Sequence, residues 1–276
     1  MTRNSANPPD PAPSDEQSMS IAEELAIHRH GPVSVIELAR PDARNALTTS
    51  MLRGIGAAAA AAETDPEIQV LVLTGAGDRA FCSGMDLRSF TDGARFDTAS
   101  EEGAAYQRLV RGELSVPVIA AANGTAVGGG LELLLGADII VASATAKFGF
   151  PEAKRGLFPA SGGTFIGTRL PLGIALEMNL TGNPITAQRG YEVGLINSVV
   201  PPQDVLATAL SLARQIADNA PLALTACKEL VRLAVTDAAE ATERLGDWRK
   251  TVFDSEDARE GALAFIEKRK PVWQGR

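Results

Sequence analysis

Pro117-Val118-Ile119-Ala120-Ala121-Ala122-Asn123-Gly124-Thr125-Ala126-Val127-Gly128-Gly129-Gly130-Leu131-Glu132-Leu133-Leu134-Leu135 is a strand sequence that runs through three consecutive glycines into an apolar helix. The run from Val116 to Ala122 is compact and apolar, as in a strand covered on both faces. Three glycines in succession carry a heavy cost in backbone entropy, so something is expected to approach this backbone closely. Free amides at the start of the following helix, with its dipole behind them, stabilise negative charge developing on a bound carbonyl oxygen. Glu132 has two readings. It is an acid favoured in a first helical turn, or, because its neighbours are apolar, a part-buried carboxylate with a raised pKa suited to proton transfer.

Working outward, the same strand pattern returns at Ile68 to Thr74 and at Asp138 to Ala142, and Val33 to Leu38 alternates apolar and polar residues before Pro41. Thr48, Thr49 and Ser50 offer N-caps for an Ala-rich helix with Leu47, Met51 and Ile55 at helical spacing, closed before Pro66. Strands alternating with helices predict an α/β body with parallel pairs over 21–200. From 201 to 276 the pattern is helix after helix: Val205 to Ala217, Pro221 to Val235, Ala238 to Phe253, and a last helix with Leu263, Phe265 and Ile266. A helical region without a sheet of its own must pack on the body or on another subunit. Residues 1–20, with Pro8, Pro9, Pro11 and Pro13 among acids, read as a disordered tail.

Composition narrows the chemistry. The 276 residues hold 26 Lys and Arg against 34 Asp and Glu, a net charge of −8 that argues against broad nucleic-acid binding. A hydrophobic content of 45% can bury a large core and excludes disorder throughout. No apolar run reaches the roughly 18 residues of a membrane span, and the first residues resemble neither a signal nor a transit peptide. The two histidines, His28 and His30, lie together near the N-terminus, and the cysteines are Cys82 and Cys227. That is too few, or wrongly spaced, for a His-based triad, a zinc site or a disulfide framework. Acid–base work falls to carboxylates, Lys or Tyr, and two cysteines suit a reducing cytoplasm.

Three further segments bear on function. Thr74-Gly75-Ala76-Gly77-Asp78-Arg79-Ala80 fits a loose dinucleotide pattern, but Phe81-Cys82-Ser83-Gly84-Met85-Asp86 is a poor helix start, which favours a plain strand-end turn. Within that second segment Cys82 and Ser83 lack a nearby base and a nucleophile elbow, as does Ser161. Gly84 either closes a tight turn or aims the Met85 amide outward as an anion donor. In Phe148-Gly149-Phe150-Pro151-Glu152, Pro151 at N1 with Glu152 beside it reads alone as an ordinary helix start.

Taken in order, these segments resemble the crotonase superfamily, the enoyl-CoA hydratase/isomerase family, from about residue 24 to 270. The resemblance rests on Arg44-Asn45-Ala46-Leu47, Phe81 to Leu87, Asn123-Gly124, Gly128-Gly129-Gly130-Leu131-Glu132, Ala137-Asp138, Phe148-Gly149, Pro151-Glu152, Thr181-Gly182, Gly194-Leu195 and Phe265-Ile266-Glu267-Lys268-Arg269. It implies a spiral of ββα units with a C-terminal helical trimerisation region, and a homotrimer or a hexamer of two trimers. It puts the two oxyanion-hole amides on Met85 and Gly129 and the hydratase glutamates on Glu132 and Glu152. Isomerases of the family usually keep one of that pair, so holding both implies hydration of a 2-enoyl-CoA thioester, a reaction of fatty-acid β-oxidation. The alternatives are isomerisation, dehydration or hydrolysis of another acyl-CoA, or a non-catalytic acyl-CoA-binding trimer. The working assignment makes Glu132 the base and Glu152 the proton donor.

The resemblance also implies coenzyme A contacts at Ala43, Arg44, Asp86, Leu87, Arg88 and Gly128, and from Phe265 and Lys268 of the last helix, in some members of a neighbouring subunit. Arg44 and Arg88 are candidate phosphate partners, with solvated surface arginine as the equal alternative. Coenzyme A arrives as part of the substrate, so no metal, nicotinamide or flavin is required. After Glu152 the segment Gly162 to Pro171 departs from the familiar fatty-acid hydratases by one extra residue. It and 89–104 are expected to border the acyl pocket.

Overall fold

The computed structural model describes residues 24–86 and 96–276, with the backbone of Ser18–Ala22. Residues 1–17, 23 and 87–95, and with them Leu87, Arg88 and most of the expected tail, lie outside the described residues. Strand β1 (Ser18–Ala22) pairs antiparallel with β2 (Leu25–His30), so regular structure begins at Ser18, three residues inside the stretch the sequence leaves to the tail. The alternation Ser-Met-Ser-Ile is the local reason, since the prolines end at Pro13.

Strand β2 continues antiparallel to β3 (Val33–Leu38), where the His28 ring meets Glu37 across the strands at 3.0 Å. From there the sheet is parallel: β4 (Val70–Gly75), β6 (Val118–Ala122), β8 (Ile139–Ser143) and β11 (Ser198–Val200) follow in the order β1-β2-β3-β4-β6-β8-β11. Successive residues of these strands enter opposite cores, as the two-residue strand period requires. Val33, Val35, Val70, Val72, Ile119, Ala121 and Val141 pack with helix α6 (Val205–Ala217). Ile36, Leu71, Leu73, Ala120 and Ile140 join the larger core with α1 (Thr49–Thr64). Each large apolar side chain so buried contributes about 1.5–3 kcal/mol. Helix α1 starts where expected, with the Thr48 hydroxyl accepting from the Met51 amide at 3.1 Å.

A second sheet holds short strands in the order β10-β9-β7-β5: β5 (Ala80–Cys82), β7 (Thr125–Val127), β9 (Lys147–Gly149) and β10 (Ile185–Thr186). The chain visits the large sheet, then the small one, then a helix. β4 and β5 lead to α2 (Glu101–Arg111), and β6 and β7 lead to α3 (Gly129–Leu135). That is the expected spiral of ββα units. After β9 comes a 3-10 turn, Pro151–Arg155, instead of the expected ordinary helix start, closed by Gly156 at φ 71°. The strands β5, β7 and β9 are parallel neighbours, so their carboxyl ends lie side by side.

Beyond α4 (Leu172–Thr181) and α5 (Ala187–Glu192), the C-terminal region comprises α6, α7 (Pro221–Thr236), α8 (Ala238–Phe253) and α9 (Glu256–Glu267). Helix α7 docks on the body through Thr225 and Lys228, which donate to the carbonyls of Ser115 and Val116. Helix α8 has no fully buried residue within the chain. Among the described residues no helix is long and apolar enough to cross a membrane.

Candidate active site

Carboxyl ends of adjacent parallel strands are where α/β folds gather ligands, and here three sequence-predicted segments meet at such ends. Beyond β5, Leu47 and Met85 form a parallel bridge: the Leu47 amide donates to the Gly84 carbonyl at 2.8 Å and the Asp86 amide to the Leu47 carbonyl at 2.9 Å. Both bonds use the neighbours of Met85, so the N–H of Met85 itself points to the other side of its strand. On that side lies α3, and a methyl group built on Gly129 would stand 3.6 Å from the Met85 nitrogen. Gly129 is the first residue of α3 and has no intrahelical acceptor. Among the described residues no backbone acceptor is seen for either amide, which leaves both as candidate donors at this corner.

Each of the three glycines has its own cause. Gly128 caps α3 at φ 58° and ψ −133°, a backbone state reserved to glycine, and donates its amide to the Gly149 carbonyl at 3.0 Å. A side chain there would also come within 3.0 Å of Glu152 Oε1. Gly130 faces β5 so closely that a Cβ would lie 2.4 Å from the Cys82 carbonyl oxygen. Gly129 is left open on the side of Leu47 and Met85, at contact distances of 3.6 to 3.7 Å.

Glu132 is 5% exposed, and its Oε1 accepts from the amides of Ser161 at 2.7 Å and Gly163 at 3.0 Å. Burial raises its pKa, the two amides act against that, and the nearby Glu152 charge adds to the rise. Glu152 follows Pro151 on the 3-10 turn, with its Oε1 against Gly128 and its Oε2 buried without a hydrogen-bond partner. Burial raises its pKa too, opposed by its own amide and by Arg155. Two carboxyl groups are thus near enough to couple: Glu152, with an unpartnered oxygen, stands against Gly128, and Glu132, on the first turn of the helix that Gly128 caps, is held by the Ser161 and Gly163 amides. The arrangement can stabilise an oxyanion and exchange two protons with whatever lies between them.

The nucleophile readings fail on geometry. Cys82 is fully buried and its thiol is pushed up to about 12 by burial, against the pull of the Gly84 amide. Ser161 serves through its backbone amide. The sequence reading missed Tyr106 on α2, which is buried edge-on to Phe96 at 5.4 Å and whose phenol pKa is driven up by burial and then by the charges of Glu132 and Cys82. It named Asn45 only within the Arg44-Asn45-Ala46-Leu47 motif and did not read its role, which is to pin the loop ahead of Leu47. Its side-chain oxygen accepts from the Arg40 amide, and its Nδ2 donates to the Ala76 and Ala80 carbonyls. Asn45 is left-handed at φ 54° and fully buried, a conformation that asparagine adopts more readily than most residues.

Comparison with known proteins decides the family. The model of the enoyl-CoA hydratase/isomerase family matches residues 28–276. A carnitinyl-CoA dehydratase of Salmonella arizonae is 40% identical over 261 residues, covering 92% of this chain and 100% of that protein. The chain belongs to the enoyl-CoA hydratase/isomerase family of the crotonase superfamily. Solved structures agree. A probable enoyl-CoA hydratase/isomerase from Mycobacterium abscessus superposes with a TM-score of 0.85 at 41% identity, over 93% of this chain and 100% of that one. A carnitinyl-CoA hydratase from Mycobacterium avium gives 0.72 at 42% identity, over 92% and 100%. The protein is therefore a crotonase-family acyl-CoA enzyme.

In this crotonase-family chain, the segment expected to hold coenzyme A is brought to the site only in part. Ala43 ends a 3-10 turn and Arg44 follows at φ 53°, exposed, with its carbonyl accepting from the Ser83 amide at 3.0 Å. Asp86 pairs with Arg40 at 3.0 Å. Phe265, 86% exposed, and Lys268 sit at the far end of α9, whose packing within the chain is against α8 and residues 269–276, not the glutamates.

Proposed function

We propose that the protein is a hydro-lyase that adds water across the C2=C3 bond of a 2-enoyl-CoA thioester, and removes it in reverse. The observation that carries this reading is the unlike pair of glutamates. Burial raises the pKa of Glu132, but two amide donors oppose it by favouring the ionised form, and we assign this carboxylate as the base for water. Glu152 has a buried oxygen with no donor, which favours the protonated acid. As the water oxygen bonds to C3, its proton passes to Glu132 and the double-bond electrons shift to the thioester oxygen. The Met85 and Gly129 amides hold that charge, and such a donor is worth about 3–4 kcal/mol. Glu152 then delivers its proton to C2. This sequence consumes no redox equivalent and needs no metal or nicotinamide, coenzyme A being part of the substrate.

For the substrate's handle we retain Ala43, Arg44, Asp86, Leu87, Arg88 and Gly128, with Phe265 and Lys268 supplied by a neighbouring subunit of a homotrimer or hexamer in the cytoplasm. The 40% identity to a carnitinyl-CoA dehydratase supports a second reading with the same machinery run towards dehydration of a carnitinyl-type acyl group. The test is Glu152→Gln with folding intact. Hydration of crotonyl-CoA should fall by about 10²- to 10⁴-fold, and an unchanged rate would sink the assignment. Product analysis by mass spectrometry on crotonyl-CoA and carnitinyl-CoA separates the two readings.

A further inference from the structure

Residues 161–169 form a strap across α3 that is tied to it at both ends. At one end the Ser161 and Gly163 amides donate to Glu132. At the other, Nη2 of Arg169 donates to the carbonyl of Ala137, just beyond the last turn of α3. Between them runs the 3-10 turn Gly163–Thr168, held by Phe165 to Gly162 and Arg169 to Ile166 backbone bonds of 2.9 Å each, with Ile166 buried beneath.

The Arg169 guanidinium is withdrawn from water and shares its corner with a second cation. Burial, then Arg232, draws its pKa down to about 10 while Asp138 opposes them. Arg232 of α7 donates to the carbonyls of Gly136 and Ala137 at 3.2 Å and to Asp138 Oδ1 at 2.7 and 2.9 Å, and Lys228 reaches Asp138 Oδ2 at 2.9 Å. Cations at a helix C-terminus complement its dipole, and since Lys228 and Arg232 already pair with Asp138, Arg169 is left with the Ala137 carbonyl as its hydrogen-bond partner. The seven residues of α3 put this corner about 10 Å from Gly129, so Arg169 does not act on the amide pair by contact.

We propose that Arg169 is a positioning residue for the reaction: by tying the end of the strap to Ala137, it keeps the Ser161 and Gly163 amides on Glu132 and so sets the orientation and protonation of that carboxylate. This rests on the reading of Glu132 as the base. A lysine supplies the charge without the planar fork and holds the carbonyl less firmly. When the strap slackens, Glu132 loses the donors that favour its ionised form, and the base becomes protonated at higher pH.

The full-length Arg169→Met and Arg169→Lys variants are assayed for crotonyl-CoA hydration from about pH 5 to pH 9, with Glu132→Gln in parallel. For Arg169→Met the expected result is a kcat about tenfold lower at neutral pH, a KM within about twofold of the parent, and an acid limb moved up by about one pH unit. Arg169→Lys should fall between. A folded methionine variant with the parental kcat and profile overturns the proposal. If the methionine variant fails to fold, a lysine variant with the parental profile does so. An active Glu132→Gln overturns the underlying assignment instead, whereas an inactive one beside parental Arg169 variants overturns only the role of Arg169.

Discussion

Glu132 carries two demands that pull apart. Catalysis asks for a carboxylate, and the apolar surroundings tax that form. Because its folded-state pKa is raised above that of the unfolded chain, its contribution to stability is fully present below the unfolded carboxylate pKa and is lost as pH rises through the folded value. Gln keeps the acceptor for Ser161 and Gly163 without the charge. We therefore expect Glu132→Gln to melt at a higher temperature than the parent at pH 8, with the gain fading towards pH 4, where the glutamate is protonated in both states. Scanning calorimetry at the two pH values checks it, and a gain confined to the acid end would contradict the sign. The apolar residues around Glu132 announce this conflict in the sequence. Its donors could not be read there, since Ser161 and Gly163 lie 29 and 31 residues away and contribute amides that any residue but proline carries. Read from its neighbours alone, Glu152 was legible only as a helix-start acid; the family resemblance singled it out, and the structure adds that its Oε1 stands against Gly128.

At the scale of elements, the site exists because three short strands end together. β5, β7 and β9 have three residues each, too few for an alternating pattern to stand out, and none of them was readable. The long elements were: α6 and α8 run over the very residues their amphipathic patterns predict, helped in α8 by Asp237 capping the amides of Ala239 and Glu240. The triple glycine announced a close approach without saying to what. The answer at Gly130 is β5, and it makes a prediction. Gly130→Ala puts a methyl 2.4 Å from a backbone carbonyl, which cannot rotate away as a side chain can, so β5 and α3 must separate. Gly129 opens α3, and Met85 lies three residues beyond the end of β5. A shift of about 1 Å between the amides should cost on the order of 10²-fold in kcat with the far-UV circular dichroism retained. An alanine variant with parental kcat would mean that the two amides do not act as a pair.

For the whole molecule the informative feature is what remains uncovered. The sequence required the C-terminal helices to pack on the body or on another subunit, and they divide. Helix α6 gives Val205, Ala209, Ala213 and Ala217 to the core, α7 is tied down by Lys228 and Arg232 around Asp138, and α8 has no fully buried residue. Phe253 at the end of α8 and Ile266 on α9 are each 75% exposed, and Leu245 and Leu263 are about half exposed. This is the region the resemblance assigns to trimer formation, and Lys268, which the resemblance offers to coenzyme A, caps α9. Burying two such side chains between subunits contributes together about 4 kcal/mol, or roughly a thousandfold in association. The double variant Phe253→Glu with Ile266→Glu should therefore fall from three or six chain masses to one in light scattering at micromolar concentration. If Phe265 and Lys268 serve a neighbour's substrate, the KM for the enoyl-CoA rises in the same variant, because dissociation removes them from the site while Glu132 and Glu152 stay in place. A variant that keeps its mass would move the subunit contact away from these helices, and one that dissociates with KM unchanged would return the coenzyme A site to a single chain.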